Sequence, residues 1–456
     1  MGSFVYSDYW PFAVLLLSVI LVVTLITRWR FHPFIALMLS AMFVALLSPA
    51  LPEVPGQNPV ITIIELPMME FGIMAGKIAW VIALAAVIGT AMMESGAAEQ
   101  IVNWLLKTLG EKRAATALMI SGFILSIPVF VDTVFFLLIP LGITLALKTG
   151  RDFVLYVVAI GGGGVITHSI VPPTPGPLIM AETLSLDLGI VIFAGLATGL
   201  VPAIAVIVVG KWLNKRLNIP VRVTNSHVTS IPNPPSLMLS VLPIVLPILM
   251  ISFASTVEAV TGELPDWIAF QGNKNIAMGV GTFVALFLWA RGQKLGSNAL
   301  WQGIAKPLEV GGVIILITSA GGAYGAMIAH SGVGKAISLA TEGFQVHYIL
   351  LAWIIAAVLK IAQGSGTVAM ISAAGIMAAL VGPEYHLPYH PIYILLAMGF
   401  GSLFVSWMND SGFWVVVRLS GFTEKEGLQT WTFILAIIAV VGLVQILFLS
   451  WMFPLI

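Results

Sequence analysis

The chain has 456 residues, of which 59% are hydrophobic and only 9% charged, with a mean hydropathy of +1.05. Soluble domains carry about 25% charged residues, so this composition excludes a cytosolic enzyme, a nucleic-acid binder and a disordered chain. Basic and acidic residues number 20 each, so net charge selects no partner; the lack of cysteine removes disulfides, thiolate metal sites and a Cys nucleophile. The class is an all-α polytopic membrane protein.

A helix crosses the hydrocarbon with about 20 apolar residues. Such runs cover residues 11–27, 33–49, 78–93, a pair within 114–147, 153–180, 188–210, 237–255, 276–290, 308–329, a second pair within 348–380, 392–417 and 430–453. No Lys or Arg precedes the first run, and Arg28 and Arg30 follow it. That is the reverse of a secretory signal, so the run reads as a span with its N-terminus outside. The first pair is interrupted at Ile127-Pro-Val-Phe-Val-Asp132 and the second at Gln363-Gly-Ser-Gly-Thr367. Broken backbone at membrane depth is tolerated only inside protein or beside water, so each pair reads as a re-entrant hairpin. Two spans joined by a tight turn would leave the orientation unchanged. Sixteen of the 20 basic residues then fall in inside loops; Lys77, Lys274 and Lys335 fall outside, and Lys360 in the second hairpin. This asymmetry obeys the positive-inside rule and gives ten crossings, two hairpins and both termini outside.

The halves resemble each other. Ile88-Gly-Thr-Ala-Met-Met-Glu-Ser-Gly96 aligns with Tyr324-Gly-Ala-Met-Ile-Ala-His-Ser-Gly332 at an offset of 236, which also superposes the break near Pro128 on that near Gly364. Gly161-Gly-Gly-Gly164 with Pro172-Pro-Thr-Pro-Gly176 corresponds to Gly399-Phe-Gly401 with Asn409-Asp-Ser-Gly412 at an offset near 238. Each repeat, 1–210 and 237–456, holds five crossings and a hairpin; residues 211–236 form a basic, Pro-rich cytoplasmic linker. Five is odd, so the second repeat is inverted. Inverted repeats with broken helices meeting at the midplane are an architecture of secondary transporters.

Ionisable residues at the bilayer centre cost roughly 2.5–3.5 kcal/mol on insertion scales and mark function. Asp132, Lys360, Asp410 and His168 are central; His32, His227, His330, His347, His386 and His390 lie near ends or in loops. Gly161–Gly164 admits a neighbouring backbone. Thr167, His168 and Ser169 follow, Pro172-Pro173 stops the helix, and Thr174 with Pro175 starts another. The second half offers Gln363, Gly364, Ser365 and Thr367 at a hairpin tip and Ser406, Asn409, Asp410 and Ser411 at a broken helix. Helix N-termini, hydroxyls, amides and one Lys suit a small polyhydroxylated carboxylate. Lys360 either balances that carboxylate or pairs with Asp132 or Asp410. Asp132, His168 and Asp410 are the candidates for proton coupling. No HExxH, GxGxxG or Walker-type motif is present, so neither an enzyme nor a primary pump is expected, and neither a cofactor nor a metal.

Thr167-His-Ser-Ile-Val-Pro-Pro-Thr-Pro-Gly-Pro177, Lys360-Ile-Ala-Gln-Gly-Ser-Gly-Thr-Val-Ala369, Asn409-Asp-Ser-Gly-Phe-Trp414 and Ile127-Pro-Val-Phe-Val-Asp132 together resemble the gluconate permease (GntP-type) family of gluconate:H⁺ symporters. The resemblance covers nearly the whole chain. It implies proton-coupled symport of gluconate or a related sugar acid or hydroxycarboxylate across a bacterial inner membrane. Its wider ion-transporter superfamily implies scaffold and transport domains, elevator-like motion and a homodimer. The chain departs from gluconate carriers of the family in having Thr174 where they often have His and Lys360 where they often have Arg. The residues expected to contact substrate are Thr167, His168, Ser169, Thr174, Lys360, Gln363, Gly364, Ser365, Thr367, Asn409 and Ser411. Sodium coupling through unwound carbonyls with Asn409 and Asp410 is the alternative, and a passive anion facilitator a further one.

Overall fold

A computed structural model describes residues 10–48, 51–52, 58–222, 234–333, 336, 347–381 and 387–455. Residues 1–9, the stretch 223–233 of the linker, and with them His227, Lys335 and His386, lie outside the described residues. All regular structure among the described residues is helical. The elements are α1 (Trp10–Thr27), α2 (Pro33–Leu47), α3 (Pro59–Glu94), α4 (Ala97–Leu109), α5 (Ala114–Leu125), α6 (Val131–Thr149), α7 (Phe153–Ile170), α8 (Pro175–Thr183) and α9 (Leu188–Leu217). The second half holds α10 (Leu237–Thr261), α11 (Asp266–Gly272), α12 (Lys274–Gly292), α13 (Ser297–His330), α14 (Tyr348–Gln363), α15 (Gly366–Val381), α16 (Ile392–Gly401), α17 (Ser411–Ser420) and α18 (Glu424–Met452).

Among the described residues, eight helices are long and apolar enough to cross a membrane. Large apolar side chains cover their outer faces: Phe193, Met238, Val260 and Phe283 are each more than 70% exposed. Water would not tolerate that surface and lipid does. The chain is a polytopic membrane protein.

Two helices are longer than their apolar runs. α3 begins at Pro59 and carries Glu65, Glu70 and Lys77; α13 begins at Ser297 and carries Lys306 and Glu309. Charges break the hydropathy run without breaking the helix, which explains the late starts of 78 and 308 in the sequence. α4 is amphipathic, burying Ile101, Val102 and Leu105 while Glu99 and Lys107 fall in its first and last turns. A search for uniformly apolar runs passes over such a helix. The basic stretch after residue 210 also starts inside a helix, because α9 continues to Leu217.

α3 packs lengthwise on α13, with α2 and α12 against them and α10 against α12. A second group joins α5, α6, α7 and α9 with α14, α16 and α18. Small residues set the spacing. A Cβ on Gly163 of α7 would overlap the Met119 carbonyl of α5, and one on Gly399 of α16 would lie 2.6 Å from the Ser169 carbonyl of α7. Between the groups, α13 meets α15 where Gly325 and Gly375 touch backbone to backbone.

Candidate functional site

Four interruptions converge on one cleft. They are the turn between α5 and α6, the break between α7 and α8, the turn between α14 and α15, and the break between α16 and α17. The cleft has two chambers. One, of about 140 Å³, is lined by Asp132, His168, Ser169, Lys360, Ser365, Thr367, Ser402, Asp410, Ser411 and Trp431 among others. The other, of about 340 Å³, shares Val131, Asp132, His168, Ser365 and Thr367 and is closed by Thr133, Ile314, Ile317 and Thr318. The five shared side chains form the partition.

The second-half break is tightly bonded. Gly364 ends α14 with φ +83°, a conformation that favours glycine. A Cβ there would overlap the Asn409 carbonyl. The carbonyls that α14 leaves unpaired are met from α16–α17: Trp407 Nε1 donates to Ile361 O at 3.1 Å, and Asn409 Nδ2 to Ile361 O at 2.8 Å and Ala362 O at 3.4 Å. Lys360 Nζ donates to Gly364 O at 2.5 Å and to Asp410 Oδ2 at 2.6 Å. The Lys360 and Asp410 side chains are only 4% and 13% exposed. Asp410 also caps α17, accepting from Gly412 N at 2.9 Å, and its Oδ2 accepts from Ser406 Oγ. A π-turn over Leu428–Thr432 swings Trp431 so that its Nε1 donates to Ser406 Oγ at 3.2 Å. Such turns often mark working sites.

The first-half break is built from hydroxyls. Thr167 Oγ1 donates to Phe123 O at 2.8 Å, joining α7 to the first turn's approach. Thr174 stands at the N-cap of α8 with Pro175 after it, yet its side chain caps nothing. Its Oγ1 donates instead to His168 O at 2.9 Å and Val171 O at 2.6 Å, which closes the unwound turn. His168 sets its ring edge-on to Phe130, with centroids 6.2 Å apart, and its buried Nδ1 has no partner among the described residues. Asp132 lies in the first turn of α6 and reaches both chambers. No hydrogen bond or ion pair to it is found among the described residues.

The sequence candidates therefore separate. Asp132, His168, Ser169, Lys360, Ser365, Thr367, Asp410 and Ser411 face the first chamber. Thr167, Thr174, Gln363, Gly364 and Asn409 line neither chamber. Thr167, Thr174 and Asn409 spend their donors on broken backbone, and Gly364 supplies the turn. Gln363 is buried, and its amide lacks a partner among the described residues. Ser402, Trp431, Thr133 and Thr318 reach the chambers without having been singled out. Ser402 precedes Ser406 and Asp410 at helical spacing, a pattern visible in the sequence; Trp431 and Thr318 arrive from distant helices with no local signal.

Residues 10–452 match the GntP family permease model. The chain belongs to the GntP permease family. Over 448 residues it is 31% identical to a gluconate permease of Pseudomonas aeruginosa, covering 95% of this chain and 96% of that one. It is 30% identical over 451 residues to the D-serine transporter DsdX of Escherichia coli, covering 96% and 98%. The fold is shared with the crystal structure of the YdaH transporter of Alcanivorax borkumensis at a TM-score of 0.61 and 14% identity, over 93% of this chain and all of that one. This GntP-family protein is thus an integral membrane permease, and not an enzyme.

Proposed function

We propose that this permease takes up gluconate or a related sugar acid or hydroxycarboxylate together with protons. The similarity to gluconate permeases supports the substrate class. The observation that carries the coupling is the charge of the cleft. Lys360 and Asp410 neutralise each other, and Asp132, where the chambers meet, is a carboxylate with no ion-pair partner among the described residues. A substrate carboxylate arriving about 4 Å from an ionised Asp132 would be repelled by about 4 kcal/mol at an effective dielectric near 20, roughly a thousandfold in affinity. A proton on Asp132 removes that repulsion, so acid and proton enter together. The carboxylate is received by the first N–H groups of α15, at Gly366 and Thr367, where the helix end favours an anion. Ser169, Ser365, Thr367 and Ser411 meet its hydroxyls.

Two inverted repeats, with the hairpin-bearing group of helices moving against the α3–α13 group in an elevator-like cycle, complete the reading. The N-terminus lies outside, and the unit is a homodimer. The crossing of α7 by α16 at Ser169 and Gly399, and the small-residue contact of α13 with α15, support the two-group division. The test is uptake of labelled gluconate into proteoliposomes in sodium-free buffer. Accumulation above equilibrium under an inward proton gradient, abolished by a protonophore, is expected. Uptake that equilibrates and ignores the gradient would overturn the coupling.

A further inference from the structure

Among the described residues, four titratable side chains line the two chambers, namely Asp132, His168, Lys360 and Asp410. Asp132, which lines the first chamber with Asp410, has no hydrogen-bond or ion-pair partner among the described residues, whereas three donors converge on Asp410. Lys360 Nζ and Ser406 Oγ donate to its Oδ2, and Gly412 N to its Oδ1. Trp431 Nε1 donates to Ser406 Oγ, leaving the serine hydrogen directed at the carboxylate. A proton on Asp410 would meet donors and strand a buried ammonium. Lys360 is held as firmly from the other side. Its ammonium sits between a carbonyl at the open end of α14 and the carboxylate that caps α17, where an alkali cation bound to a helix break would lie.

We propose that the Lys360 ammonium is a tethered counter-ion, filling from within the chain the place of a coupling cation between the second hairpin and the second broken helix. It keeps Asp410 out of proton exchange and leaves proton traffic to the Asp132 side of the cleft. Lys360 is a positioning residue, and its replacement by a free cation of the same chemistry is the signature of that role. The inference rests on the proton-coupled reading above for its meaning in transport, but its first test is independent of it.

Lys360→Ala removes the ammonium and leaves room for n-propylammonium. Melting of the purified full-length variant, with no sugar acid present, is followed with n-propylammonium chloride and, as a control too large to enter, choline chloride. Expected is a melting temperature lowered by several degrees, restored saturably by the amine and not by choline, with wild type unmoved by either. A variant that melts as wild type does, or that is destabilised and ignores the amine, overturns the proposal. The second test pairs Lys360→Met with Asp410→Asn, since a buried ion pair replaced as a whole costs far less than one half removed. The double variant is expected to regain most of the stability lost by Lys360→Met and to accumulate labelled gluconate from acid medium, more slowly than wild type. A double variant no more stable than the single one overturns the tethered role, and a folded one that exchanges gluconate without accumulating it assigns the proton to Asp410. Failure of wild type itself to accumulate gluconate sinks the uptake reading and leaves the melting test standing.

Discussion

Asp132 and Asp410 are both acids at the ends of broken membrane segments, yet their surroundings give them opposite tasks. Asp410 accepts three hydrogen bonds, one of them its ion pair with Lys360; Asp132 faces open cavity. Asp132→Asn removes the repulsion without needing a proton. It is expected to abolish accumulation against a gradient while leaving gluconate counterflow, and accumulation that persists in this variant would take Asp132 out of the coupling role. The prediction for Gly364 is steric. An alanine there would combine a positive φ with overlap against the Asn409 carbonyl, so Gly364→Ala should cost more than about 1 kcal/mol of stability and lower uptake. Comparable melting and uptake in the variant would show that the turn has other solutions.

At the scale of elements, the cleft exists because four helices stop inside the protein, and the freed backbone of two of these stops is met by side chains. α16–α17 repairs α14, and Thr174 repairs the end of α7. The contact between α13 and α15 depends on the absence of side chains at Gly325 and Gly375. Gly325→Ala should therefore destabilise by about 1–3 kcal/mol through overpacking. Gly312, on the same helix and facing open space, should accept alanine with a gain of up to about 1 kcal/mol from helix propensity. Thermal unfolding of the two variants in one detergent checks both signs, and equal effects would mean the contact is not tight.

The molecule as a whole turns its apolar surface outward and its few membrane-depth charges inward, the reverse of a soluble protein. The orientation proposed from its basic residues is open to a direct check, because the native chain has no cysteine. Cysteines placed at Lys112 and Lys215 should resist an impermeant thiol reagent in intact cells, and one at Glu263 should react; all three positions are exposed. The opposite labelling pattern would invert the topology.

The membrane class, the helical content and the positions of the four interruptions were legible in the sequence, because hydropathy, charge and Gly/Pro chemistry act locally. The family was legible too, since its motifs sit at those interruptions. Which polar residue faces the cleft was not. Thr167, Thr174 and Asn409 are as polar as Ser169, Ser365 and Ser411, and only packing decides whether a donor is consumed by a broken helix or left for a ligand. The choice of Asp410 as the partner of Lys360, with Asp132 left over, is of the same kind. It depends on how Gly364, Ser406 and Trp431, from three separate segments, are brought around one carboxylate, and tertiary structure alone brings them there.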